Sequence, residues 1–210
     1  MLEEEGDAMH IRTIAFLATA TLLVGGCCNC MEALDRYEEK SAGSAAGGDV
    51  DLATTYENSG LGFTIEHPEH WGAKSSSENV IVIGGLDETK PDFTATVNIQ
   101  VLEHSEDASQ DEKVGAEIEH LKTQILGAEG GKVYDEKAFE LVDAGGGTRS
   151  GKSMMFEYTL GGIHYKQHQI VLPGKAENDV VTWAYTNHEV VYDDHLSIAE
   201  AMLETWKLTR

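Results

Sequence analysis

Beyond residue 30 the chain has no cysteine: all three, Cys27, Cys28 and Cys30, fall within four positions of one another. The rest of the chain therefore carries no disulfide framework, no cysteine zinc site and no thiol nucleophile. Cys28 and Cys30 are too close in sequence to staple a fold. Basic residues are also scarce, 15 against 37 acids, for a net charge of −22. Such a surface repels nucleic acid, whose binding needs a basic footprint, and it repels anionic lipid headgroups as well. The acids are spread along the chain, which fits a hydrated, soluble surface rather than a dedicated cation site. Long apolar runs are missing too. The longest candidate, Thr13 to Val24, is roughly a dozen residues, whereas a membrane span needs about 20.

What that short run does is mark an address. Met9-His10-Ile11-Arg12 is weakly basic, Thr13 to Val24 is apolar and uncharged, and Gly25-Gly26 are small, which is the three-part layout of a secretory signal. Small residues directly before Cys27, with Val24 ahead of them, resemble the lipobox of bacterial lipoproteins. The resemblance implies cleavage before Cys27 and lipid on that residue, and stable anchoring takes more than one acyl chain. Residues 1–26 are thus expected to be a signal peptide. Met1 to Ala8 carries four acids, wrong for a signal start, so translation is expected to begin at Met9. Loss of Glu3, Glu4, Glu5, Asp7 and Arg12 with the signal takes the net charge from −22 to −19.

Residues 27–55 read as a tether. Met31 to Lys40 has the composition of a short helix, and Ser41 to Gly48 (SAGSAAGG) has nothing to bury and behaves as coil. Residues 56–210 then read as one domain, large enough for a real core. Gly62 to His67 alternates and stops at Pro68, a short strand. Asn79 to Ile83 is an apolar strand ended by Gly84-Gly85. Phe93 to Leu102 alternates over ten residues, with Val97, Ile99 and Val101 on one face and Thr96, Asn98 and Gln100 on the other. Ser109 with Glu112 forms a capping-box pattern ahead of a helix whose stripe is Val114, Ile118, Leu121 and Ile125, stopped by Gly127. Strands follow at Lys132–Val142, Ser153–Leu160, Ile163–Leu172 and Asp179–Asn187, broken by Gly161-Gly162 and Pro173-Gly174. A last helix starts near Asp193 or Asp194 with Leu196, Ala199, Leu203 and Trp206 inward. Strands, helix, strands, helix with short links give an α+β domain: a mainly antiparallel six- to seven-stranded sheet flanked by helices.

Tyr56-Glu57-Asn58, then Gly62-Phe63-Thr64-Ile65 and Pro68-Glu69-His70-Trp71, resembles the opening of PsbP-like and DcrB-like domains. The Ran-binding nucleotide-release factor of eukaryotes shares that fold. The closing helix and Trp206-Lys207-Leu208 extend the resemblance over residues 56–210. It implies a PsbP-like α/β/α sandwich acting as a binding or assembly factor and contributes no catalytic group. The signal argues against the nuclear role of the Ran-binding branch.

Two patterns invite an enzymatic reading. Gly146 to Ser153 (GGTRSGKS) satisfies G-x-x-x-x-G-K-S, yet a phosphate-binding loop needs a helix starting at the lysine, and Met154 to Leu160 (MMFEYTL) reads as a strand. His164 and His168 are four apart on a strand, roughly 13 Å by the strand rise, too far to share one metal. His67 and His70 flank Pro68 and read as a surface pair. No catalytic set, metal site or cofactor is expected. The expected function is a lipid-anchored, extracytoplasmic, non-enzymatic binding or assembly module of the cell or outer membrane, meeting an envelope protein. The alternative is a carrier of a small ligand or cation. An enzyme would need a strongly perturbed carboxylate or histidine in a cleft. Lys152→Ala is expected to leave nucleotide binding at background in equilibrium dialysis; ATP affinity present in the parent and lost in the variant would contradict this reading.

Overall fold

The computed structural model describes residues 50–85, 95–105 and 107–209. They belong to one compact unit, Gly48–Arg210; the other unit, Met1–Gly47, with the expected signal, Cys27 and most of the tether, lies outside the described residues. The strands are β1 (Thr54–Asn58), β2 (Phe63–His67), β3 (Trp71–Ser77), β4 (Val80–Gly85), β5 (Thr96–Glu103), β6 (Glu129–Val142), β7 (Thr148–Leu160), β8 (Ile163–Pro173), β9 (Asp179–His188) and β10 (Lys207–Leu208). The α-helices among the described residues are α1 (Gln110–Gly127) and α2 (Leu196–Thr205).

Seven strands form one sheet in the order β3-β4-β5-β9-β8-β7-β6, and β1-β2-β10 form a small one. Every pairing is antiparallel. The expected α+β architecture is present, and the small sheet adds to it. β1 begins two residues before the expected domain start at Tyr56. Phe93 and Thr94, placed in the strand by alternation, lie outside the described residues, and β5 itself is Thr96–Glu103.

The two faces of the large sheet are dressed differently. One face presents Ile81, Ile83, Val97, Ile99, Ile170, Leu172, Trp183 and Tyr185 to a core completed by Phe63 and Ile65 of β2, Trp71, and Ala199, Met202 and Trp206 of the α2 end. This is the aliphatic–aromatic core, and its second layer is the small sheet plus α2. The opposite face lies under α1, which packs on β6, β7, β8 and β9 and buries Val114, Ile118 and Leu121. Lys113 and Glu117 of α1 are buried there as well, a feature the apolar stripe does not reveal.

The helix ends follow local chemistry. Ser109 caps α1 as expected: its hydroxyl accepts from the Glu112 N–H, and its own N–H donates to Glu112 Oε2 at 2.8 Å. Gly127 is the last helical residue and the extended Ala128 is the C-cap. The last helix starts later than Asp193 or Asp194, at Leu196 after His195, because a 3-10 turn at Glu189–Val191 and further turns occupy the intervening chain. Ala199 and Trp206 are inward as expected and Met202 joins them, while Leu196 and Leu203 are only partly buried. Ser109→Ala should lower the free energy of unfolding by about 1 kcal/mol, as losing an N-cap does, read as a shift in the urea midpoint with an unchanged slope.

Candidate functional site

The GGTRSGKS stretch is a hairpin and a strand. Gly146 takes φ 79 in the turn after β6, and residues 148–153 run within β7, paired to β6 on one side, with Lys152 and Ser153 also paired to β8. No helix begins at Lys152, so main-chain N–H groups do not converge on a phosphate position. Each motif residue has another use. A Cβ on Gly151 would collide with the carbonyl oxygen of Val171, so the close strand approach requires glycine. Lys152 Nζ lies 3.4 Å from Glu136 Oε1. Arg149 Nη1 donates to the carbonyls of Pro173 and Gly174, and the Asp143 carboxylate accepts from Gly145 N and Gly147 N at 2.9 and 2.8 Å. Ser153 Oγ is 2.7 Å from His168 Nε2.

The strand argument for the histidines holds in its geometry: His164 and His168 both sit on β8, and each meets a hydroxyl of β7, Thr159 Oγ1 at 3.0 Å and Ser153 Oγ. His67 is a buried residue at the end of β2, with Nδ1 2.9 Å from Pro68 O, while His70 is exposed. The expected surface pair is thus one core histidine and one surface histidine. Among the described residues no three His, Cys, Asp or Glu side chains are grouped to hold a metal.

Pairing in register builds one constellation that sequence spacing could not. Lys166, His168 and Ile170 alternate onto the core face of β8, opposite Asn187, Tyr185 and Trp183 of β9. His168 stands edge-on to Trp183 at 5.7 Å between ring centres. Tyr192 packs on Tyr185 at 4.8 Å, and Tyr185 Oη donates to the Tyr192 carbonyl at 2.8 Å. Lys166 Nζ lies 4.6 Å from the centre of the Tyr192 ring, a cation–π contact. Burial, helped by the charge of Lys137, pushes His168 down to about 4, so its imidazole is neutral near pH 7. Two donors in this cluster, Trp183 Nε1 and Tyr192 Oη, are buried without a hydrogen-bond partner.

A second polar cluster lies on the other face of the sheet. Lys113 Nζ donates to the Glu177 carbonyl at 3.0 Å, and Gln110 Nε2 donates to the Ala176 and Glu177 carbonyls, fastening α1 to the β8–β9 loop. Glu117, one turn on, is 3.6 Å from His104 Nε2. Burial raises the Glu117 carboxyl to about 7. His104 is held below its ordinary value, first by burial and then by the charges of Lys113 and His120. Beneath the helix, Gln167 Oε1 accepts from Tyr158 Oη and Thr186 Oγ1, both at 3.1 Å, and Gln167 Nε2 donates to Gln169 Oε1 at 2.7 Å.

These two perturbed groups are the sort an enzyme would need, but their placement separates them. His168 is on the core face and Glu117 is on the buried side of α1, with the sheet between them. Ser153 is 1% exposed, and among the described residues no carboxylate orients the His168 ring as a nucleophile–base pair requires. Burial explains both shifts. Sequence reading missed Trp183, Tyr185, Tyr192, Lys166, Lys113 and Glu117. The one available signal was a polar residue at an inward position, as at Glu117, four residues after Lys113 in the helical pattern.

No family model matches this sequence, and no curated protein does. Solved structures share its architecture. LpqN of Mycobacterium tuberculosis, described as involved in cell envelope biogenesis, is 12% identical with a TM-score of 0.54 over 75% of this chain and 90% of that one. Cyanobacterial PsbP from Synechocystis is 14% identical, TM-score 0.48, over 80% of this chain and 98% of that one. The Ran-binding protein Mog1p of Saccharomyces cerevisiae is 11% identical, TM-score 0.47, over 74% and 94%. A longer Bacteroides thetaiotaomicron structure is matched over 50% of its own length. The PsbP and Ran-binding groups expected from the resemblance are thus both among the similar structures, and the likeness to LpqN shows a shared fold.

Glu117 yields a signed pH effect. Its folded-state value is raised above the unfolded one, so its stabilising share is complete below about 4.5, declines as pH rises toward about 7, and is gone above that. Unfolding free energy measured from pH 4 to 8 should fall more steeply in the parent than in Glu117→Gln. The difference between the two should reach roughly 2–3 kcal/mol across that window. Parallel curves would contradict the assignment.

Proposed function

We propose that this chain is a membrane-tethered, non-enzymatic binding or assembly module of the cell envelope, held outside the cytoplasm by lipid on Cys27. The observation that carries this reading is the fold shared with LpqN, a protein involved in cell envelope biogenesis. The sequence adds the secretory layout from Met9 to Cys27 and the Ser/Gly/Ala-rich tether after it. Among the described residues no helix is long and apolar enough to cross a membrane, so attachment in this reading falls to the lipid. The partners are then the membrane, through that anchor, and an envelope protein. The acidic surface disfavours nucleic acid, and the strand at Lys152 disfavours nucleotide. The separation of His168 from Glu117 by the sheet supports binding over catalysis. A second reading, a carrier of a small ligand, is favoured by one observation, the buried and unpartnered donors of Trp183 and Tyr192.

The anchor is tested by intact-mass analysis of the mature protein from detergent-extracted membranes. The expected N-terminus is an acylated Cys27, and Cys27→Ser should move the protein out of the membrane fraction. An unmodified N-terminus at another residue, or membrane retention of the variant, would contradict the anchor.

A further inference from the structure

The large sheet ends in two edge strands, and they are protected very differently. β6 carries two register breaks, a left-handed Asp135, and six charged residues, Glu129, Lys132, Asp135, Glu136, Lys137 and Glu140. Bulges and charges of this kind keep an open edge from pairing with another chain. β3 is bonded in the sheet to β4 alone and carries one charge, Lys74. Its other residues from Gly72 to Ser77 are glycine, alanine and serine, and those from Lys74 onward are exposed. Side chains this small let a second backbone approach.

Charge decides which chain can approach. The molecule carries −22 overall, but the hairpin Trp71–Gly85 holds a single base, Lys74, and a single acid, Glu78. Two copies meet least repulsion at this edge. A lone lysine on an edge strand ordinarily blocks self-pairing, because like charges set opposite one another repel. Glu78, exposed and four residues on, removes that obstacle. In an antiparallel pair with its two-fold axis at Ser76, Lys74 of each copy lies opposite Glu78 of the other. Ser76 is also the residue that the β3–β4 register skips: Ser75 faces Ile81, Ser77 faces Val80, and Ser76 faces no residue of β4. About that axis Ser75 meets Ser77, small against small.

We propose that β3 is a self-pairing edge, at which two copies of this chain join antiparallel about a two-fold axis at Ser76, with Lys74 of each copy against Glu78 of the other. The pairing runs the two large sheets into one. A two-fold contact of this kind closes on itself, so it yields a dimer and no filament. The contact is one strand wide, so the dimer is weak, with a dissociation constant on the order of 100 μM. The pairing goes beyond the reading of the domain as an assembly module and needs neither the lipid on Cys27 nor an envelope partner.

The test is sedimentation equilibrium of the full chain in density-matched detergent, at concentrations up to about 1 mM. The parent should pass from monomer to dimer. Lys74→Glu and Glu78→Lys each set like charges opposite one another twice, and each should weaken the dimer by about ten-fold or more. Glu78→Lys is the sharper of the two, because it lowers the overall negative charge and a general charge effect would strengthen association. An equimolar mixture of the two variants should pair as tightly as the parent, since each acid then faces a base. Both side chains are exposed, so the melting temperatures of the variants should match the parent. A parent that stays monomeric throughout, as it would if the edge served a strand of another protein, would overturn the proposal. So would association indifferent to the variants, tighter association of Glu78→Lys, or a mixture no better than either variant alone. None of these outcomes bears on the mass of the mature N-terminus, so failure of the pairing and failure of the anchor are told apart.

Discussion

Strand β9 is buried on both faces, and the rest of the domain is arranged to make that possible. All eight residues from Val180 to Asn187 are buried, and the strand is hydrogen-bonded to β5 on one side and β8 on the other. A strand so placed holds a polar side chain at least cost when that side chain finds a partner. Asn187 meets this demand through Tyr185 Oη at 3.3 Å, the Val191 carbonyl at 3.0 Å and His195 Nδ1 at 3.3 Å. Thr186 meets it through Gln167. The turn that follows β9 is thereby tied back to the strand that precedes it. That tie fixes Tyr192 against Lys166 and Tyr185.

The two faces divide the work. The core face closes with aromatic and aliphatic side chains from the small sheet and α2, while the other face combines the apolar stripe of α1 with amides, hydroxyls and the helix's own Lys113 and Glu117. Buried polar networks of this kind are sensitive to any unmatched group. Glu117 is the clearest case, since its carboxyl is driven toward neutrality by the same burial that holds α1 against the sheet. Lys113 and Gln110 reach the β8–β9 loop from the same helix end, so helix, loop and sheet form one fastened corner.

Much of the architecture could be read from the chain. The cap at Ser109 and the alternation around Val97 and Ile99 were legible because local chemistry alone specifies them. So were the strands between 163 and 188, marked by glycine and proline punctuation. Other elements were not legible. β3 reads WGAKSSS, with serines where alternation should be, and becomes a strand by pairing with β4. β10 is two residues long and exists only through β2. Asp193 and Asp194 look like helix caps, yet Asp193 sits 4.0 Å from Lys166 and the helix waits for Leu196. The site residues were hidden for a related reason. His168 meets Ser153 and Trp183 only once the registers of β7, β8 and β9 are set, and no spacing within one strand announces a neighbour in the next. Gly151 illustrates the converse, since its place in a nucleotide-like motif is explained by the passing carbonyl of Val171.

If β9 is the constraint on which both faces depend, it must be the last part of the domain to open. Native-state hydrogen exchange of individual amides measures this directly. The amides of Val181 to Tyr185 should exchange only through global unfolding, with protection matching the full unfolding free energy, while those of the edge strands β3 and β6 exchange through smaller openings. Amides of β9 exchanging as readily as those of β6 would contradict the account.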